Sequence, residues 1–177
     1  MTRVVLVVTV HLIAFGFAPP QKRTANSEHE VKAVFLFNFA QFVEWPSKSL
    51  PEPNSPIVIG ILGKDPFGVY LEETIKDETV NGHPLVIERY TDPAKIKNCQ
   101  ILFITAGKTT RFDTIIKALK GRDILTVSDG NNFAKQGGMI RFITENNRIR
   151  LRINLKAVKA SGITISSKLL QLSEIVD

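Results

Sequence analysis

Apolar residues take up almost the whole circumference of one segment. Glu30, Asn38, Gln41 and Glu44 share an arc of roughly a third of a helical wheel, and nearly every other position from Val31 to Trp45 except Lys32 is apolar. Such a helix has to be covered on more than one side. Asn26 or Ser27 supplies its cap, Glu28 and Glu30 suit the positive end of its dipole, and Pro46 stops it. Pro51, Pro53 and Pro56 then keep the connection extended. From Ile57 the pattern becomes a rhythm of short apolar runs and amphipathic stretches. Ile57 to Gly63 reads as a strand buried on both faces, and Asp65-Pro66 as the cap and first-turn proline of a helix from Phe67 to Lys76. Asn81-Gly82 marks a turn before Leu85 to Tyr90, and Thr91-Asp92-Pro93 opens a helical turn. Ile101 to Ile104 is a further strand, Thr110 to Lys120 a helix ended by Gly121, and Ile124 to Ser128 another strand.

Alternation of this kind predicts an α/β fold with a mainly parallel central sheet and helices on both faces. The pattern changes after Gly137-Gly138. Ile140 to Thr144 and Arg148 to Ile153 flank Glu145-Asn146-Asn147, which predicts a C-terminal β-hairpin followed by short helices. In its second strand Arg148, Arg150 and Arg152 share one face while Ile149, Leu151 and Ile153 share the other, so one side is buried and one wet. Asn154 caps a short helix from Leu155 to Ala160, ended by Gly162; Ile163 to Leu172 closes the fold as a strand, a helix, or one after the other. There is no internal repeat.

Residues 1–18 read as a secretory signal: Arg3 is a minimal basic region, Val4 to Phe17 the apolar region, and Gly16-Phe17-Ala18 a small-x-small exit. The apolar run is shorter than the ~20 residues of a spanning helix, so insertion of the mature form in a membrane is not expected. Pro19-Pro20 leaves the cleavage point open. Residues 19–27 then form a flexible leader and residues 28–177 a single domain. Losing Arg3 lowers the formal charge from +6 to +5, so the mature chain stays basic. Cys99 is the sole thiol, which excludes an intramolecular disulfide, and its place at the mouth of an apolar strand predicts burial over reactivity.

Candidate chemistry is sparse. Ligands of parallel sheets sit beyond the carboxyl ends of the strands, which here carry Gly63, Lys64, Asp65, Lys108, Ser128 and Asp129. These residues form a candidate crevice for a small anionic effector. The plainer expectation is that Asp65 caps a helix and Asp129 a turn, because Gly63 to Gly68 lacks the glycine spacing and Lys-Ser/Thr ending of a phosphate loop. Asp65 and Asp129 would act as a carboxylate pair only if their strand ends adjoin. Ser166-Ser167-Lys168 does not match the Ser-x-x-Lys spacing, and its serines suit a cap. No catalytic residue, cofactor site or metal site is assigned. Arg141, Arg148, Arg150 and Arg152 are either a solvated sheet face or a surface for a protein partner; nucleic acid is not expected, since the interleaved apolar residues point the other way. Phe35, Phe37, Phe39, Phe42 and Trp45 are expected in the core, with Phe35 and Phe39 the candidates for a subunit or partner contact.

Taken in order, several of these segments resemble the YfiR family of exported repressors. They are Lys32 to Phe39 with Glu44-Trp45-Pro46, Ile59 to Gly68, Val80-Asn81-Gly82, Cys99 to Ile104, Leu125 to Asp129, Gly137 to Ile140, Arg148 to Leu155 and Ile165 to Leu170. The resemblance covers about Val31 to Leu172. It implies an α/β fold, a homodimer, and a non-enzymatic protein in the periplasm that binds and restrains the periplasmic part of an inner-membrane diguanylate cyclase. Disulfides matter in the best-known branch of the family, and a chain with only Cys99 cannot carry such a switch. A periplasmic small-ligand module feeding a sensor histidine kinase is the alternative.

Overall fold

The computed structural model describes residues 25–107 and 110–176. The expected signal, most of the expected leader and Lys108 therefore lie outside the described residues. Helix α1 runs Ala25–Phe42, so residues 25–27, expected at the end of the leader, belong to its first turns. It also stops sooner than expected. Val43–Glu44 leave the helix as a short strand, β1, because they pair antiparallel with β9, Thr164–Ile165.

After a 3-10 turn at Ser47–Ser49 the remaining elements follow in order. They are β2 Ile57–Leu62, α2 Val69–Ile75, β3 Thr79–Val80, β4 His83–Tyr90, β5 Ile101–Ile104, α3 Phe112–Ala118, β6 Leu125–Ser128, β7 Ile140–Glu145, β8 Arg148–Asn154, α4 Leu155–Ala160, α5 Ser167–Gln171 and β10 Ser173–Val176. Two further 3-10 turns, Pro93–Lys95 and Ala134–Gln136, precede β5 and β7.

The main sheet has the order β10-β8-β7-β6-β5-β2-β4-β3. Strands β4, β2, β5, β6 and β7 are mutually parallel, β3 and β8 run antiparallel to their neighbours β4 and β7, and β10 is parallel to β8. The expected mainly parallel sheet with a C-terminal hairpin is therefore present. Its tight turns carry the residues their geometry demands: Asn81-Gly82 has φ of 53° and 86°, and Asn146-Asn147 has φ of 49° and 58°. Left-handed conformation at both central positions matches the twist of a two-residue hairpin. Strand β10 was not expected, and it forms the sheet edge beyond Leu172.

Period-two alternation divides the core between the two faces. On one face α1, α2, α4 and α5 cover Ile57, Ile59, Ile61, Ile101, Phe103, Leu125, Val127, Phe142 and Ile153. On the other, α3 and the 3-10 turns cover Leu62, Tyr90, Leu102 and Ile104 with Phe112 and Phe133. Helices on both faces are thus observed. Phe39 stacks on Phe142 at a centroid distance of 5.9 Å and is wholly buried, which removes it from any subunit or partner surface. Phe35 is half-buried against Phe39 and Phe142. The apolar residues that α1 and α2 leave exposed are Val31, Val34 and Val69.

Candidate functional site

The chain passes from β2 to β4 on one side and then crosses to β5 on the other, so the switch in strand order lies between β2 and β5. Gly63, with φ of 101°, turns the chain out of β2, its amide donating to Tyr90 O at 2.9 Å. The Thr105 hydroxyl donates to Lys64 O at 2.8 Å, tying the ends of the two strands together. Asp65 does cap, but it caps the turn ahead of the helix: Oδ1 accepts from the amides of Phe67 at 2.7 Å and Gly68 at 3.3 Å, and α2 begins only at Val69. The reason is Gly68, whose φ of 54° interrupts a helical path between Phe67 and Val69. The remaining oxygen of Asp65 accepts from Arg89 Nε at 2.8 Å and Nη2 at 2.7 Å, and the same guanidinium also pairs with Glu72.

Asp129 follows β6, and β5 stands between β6 and β2. The two aspartates therefore do not share a site, and each has its own cation. The partner of Asp129 is Lys32, whose ammonium also meets Glu28 at 2.7 Å. Ser128 is fully buried; its hydroxyl donates to Ile104 O at 2.6 Å and accepts from the Gly130 amide at 3.1 Å. It joins β5 to the loop after β6 and is no part of a crevice lining. A Cβ at Gly130 would lie 2.3 Å from Phe112 Cζ, so this loop holds its course by admitting only glycine there. Of the expected crevice, Gly63 and Lys64 are exposed, while Asp65, Ser128 and Asp129 are engaged in holding the fold.

Residues whose importance sequence reasoning missed are Lys32 and Gln100. Lys32 was legible only as the lone charge among apolar positions, four residues after Glu28. Gln100 is buried between β2 and the Ser47–Ser49 turn: Oε1 accepts from the Val58 amide at 2.8 Å and Nε2 donates to Ser49 O at 3.0 Å. Cys99, buried beside it, donates from Sγ to Ile101 O at 3.1 Å, and burial pushes its thiol up to about 12. Ser166 caps α5, its hydroxyl oxygen accepting from the Leu169 amide at 3.4 Å, and Lys168 is exposed.

The arginines of the hairpin lie on the sheet face opposite α1. Arg148 and Arg150 are exposed, Arg150 pairing loosely with Glu145 at 3.5 Å. Arg152 donates to Glu174 on β10 at 2.7 Å, and Arg141 donates to Asn131 Oδ1 at 2.5 Å. At the opposite, amino-terminal ends of the strands an apolar cavity of about 350 Å³ opens between α3 and α4, walled by Ile116, Leu119, Ile124, Met139 and Ala157. Among the described residues no cluster of three or more His, Cys, Asp or Glu is placed to hold a metal ion, and no helix is long and apolar enough to cross a membrane.

Fold and site together define a doubly wound α/β domain in which most of the polar side chains at the strand ends are paired with one another. Residues 29–174 match the YfiR/HmsC-like family, and the chain belongs to it. No curated protein matches the sequence. Among solved structures, the crystal structure of a conserved domain protein from Vibrio cholerae is similar in fold, with a TM-score of 0.52 at 12% identity over 86% of this chain. The match spans 60% of the length of that structure's chain.

Proposed function

We propose that this chain is an exported regulator that binds the periplasmic part of an inner-membrane diguanylate cyclase and holds it inactive, lowering cyclic-di-GMP signalling. Membership of the YfiR/HmsC-like family over residues 29–174 carries this reading. The neutralised strand-end carboxylates accord with it, since Asp65 and Asp129 each spend their charge on a neighbouring cation. A regulator of this kind works by population shift: it favours the off state only by as much as its affinity differs between off and on. The exposed Arg148 and Arg150 offer a rigid, positively charged strand for an acidic partner surface. The homodimer implied by the family would use Val31, Val34 and Val69, the apolar residues α1 and α2 leave uncovered.

Deleting the gene is expected to raise cellular cyclic-di-GMP, and complementation from a plasmid to restore it. An unchanged level would reject the cyclase as target. Fractionation tests the compartment separately: the processed chain belongs in the periplasm, and recovery of it from the cytoplasm would defeat the reading.

A further inference from the structure

The cavity between α3 and α4 has an aliphatic interior and a cationic mouth. Ile116, Leu119, Ile124, Met139 and Ala157 wall it, and among the described residues no aromatic ring lines it. Its polar side chains already serve the backbone. Thr126 Oγ1 accepts from the Met139 amide at 3.2 Å, Asn154 Oδ1 accepts from the Ala157 amide at 2.9 Å, and Asn154 Nδ2 donates to Ala134 O at 3.0 Å. The buried part of a ligand therefore gains mainly from leaving water, with no ring to stack on. An alkyl chain suits such walls. The volume of about 350 Å³ falls within the roughly 300–1,000 Å³ of small-molecule pockets.

The mouth selects the other end of the ligand. Lys117 in α3, Lys120 in the turn after it and Lys156 in α4 all line the cavity and are exposed. A lysine stem extends an apolar wall while its ammonium stays in water. None of the three has an ion pair among the described residues, and no described carboxylate lines the cavity. The acids nearest in sequence to Lys117 and Lys120 are committed elsewhere, Asp113 to Arg111 at 3.6 Å and Asp123 to Lys48 at 2.9 Å. Arg122, a further cation of the lining, donates to Lys97 O. Unpaired cations around an apolar opening attract an anionic head.

We propose that this cavity binds a free medium-chain alkyl carboxylate, its tail inward and its carboxylate among the lysines. The site does not depend on which membrane protein the chain regulates.

Calorimetric titration of the full chain with octanoate, octan-1-ol and octylammonium at neutral pH separates tail from charge. Octanoate should bind saturably and raise Tm, octan-1-ol roughly tenfold more weakly, and octylammonium not measurably. The double variant Lys117→Glu, Lys120→Glu should lose the preference for octanoate and still bind octan-1-ol as the unaltered chain does, which shows the cavity intact. Lys64→Glu, at the opposite ends of the strands, should leave octanoate binding unchanged. Ala157→Phe should fill the cavity and abolish binding of both ligands. Circular dichroism identifies any variant that fails to fold; should Ala157→Phe do so, the lysine variants decide the matter. Absence of saturable octanoate binding, equal affinity for octanoate and octan-1-ol, or octanoate binding retained in a folded Ala157→Phe would overturn the proposal. Capture of the chain by phosphatidylglycerol vesicles without binding of free octanoate would likewise overturn it, and assign this face to an anionic membrane surface.

Discussion

The ammonium of Lys32 stands 2.7 Å from Asp129 Oδ2, joining the first helix to the loop that follows β6. Only 3% of the Lys32 side chain is exposed, against 31% for Asp129 and 36% for Glu28, its second partner. The cation is therefore sealed in while its anions still touch water. This asymmetry decides which substitution hurts. Asp129→Asn leaves a buried ammonium with one charged partner and is expected to cost about 1–3 kcal/mol. Lys32→Met leaves two carboxylates that water can solvate and an apolar chain of similar length, and should cost about 1 kcal/mol or less. Urea unfolding of the two variants checks the order, and the reverse order would show that the ion pair is not organised around the lysine.

The same contact makes stability depend on acid. The Glu28 carboxyl is held below its ordinary value of 4.5, first by the hydrogen bond from Lys32 and further by that from the Thr144 hydroxyl at 2.9 Å, with burial opposing both. A folded pKa below the unfolded one means a contribution fully present above 4.5 and lost as pH falls through the folded value. Glu28→Gln should therefore be less stable than the unaltered chain near neutrality, and the gap should narrow as pH falls below 4.5. Parallel stability curves for the two proteins over that range would remove Glu28 from the acid response.

Much of this architecture was readable from residues whose effect is local. The Asn146-Asn147 turn, the Asn154 cap and the apolar run Ile57 to Leu62 act through their own backbone or their own solvent preference, so no neighbour is needed to interpret them. What was hidden depends on tertiary partners. Helix α1 ends at Phe42 because β9, more than a hundred residues later, offers a strand to Val43. Strand β10 is four residues with no strong alternation, and it exists because Glu174 and Val176 find Arg152 and Asn154 in register beside them. Asp65 and Asp129 stay apart for a related reason: strand order, which the sequence pattern leaves open, puts β5 between the ends that carry them.

Gly60 on β2 and Cys99, just ahead of β5, form one packing unit. A Cβ at Gly60 would sit 2.8 Å from Cys99 Sγ and from Tyr90 Cε2, and 3.0 Å from Leu102 Cδ1. Gly60→Ala should therefore destabilise by about 1–3 kcal/mol through overpacking of a full site. With its thiol pushed up to about 12 by burial, Cys99 is neither exposed nor ionised. Ellman's reagent should label it only after denaturant is added, and dithiothreitol should leave Tm unchanged. Rapid labelling of the native chain would restore a redox role to this residue.

Gln100 uses both ends of its side-chain amide on backbone: the Val58 amide on β2 and the Ser49 carbonyl at the close of a 3-10 turn. Its own carbonyl takes the Trp45 indole N–H at 3.2 Å, so three segments meet there. Gln100→Leu keeps the volume but strands the Val58 amide inside the sheet, at an expected cost of about 1–3 kcal/mol. Gln100→Glu is more telling. The carboxylate can still accept from Val58 but faces the Ser49 carbonyl with no proton to donate, and burial raises its pKa. Because that folded pKa lies above the unfolded one, the variant should be least stable at neutral pH and recover as pH falls through the folded value. Unfolding monitored by Trp45 fluorescence across that range measures the recovery. A Glu variant whose deficit stays constant with pH would mean that the amide's two hydrogen bonds do not hold this junction.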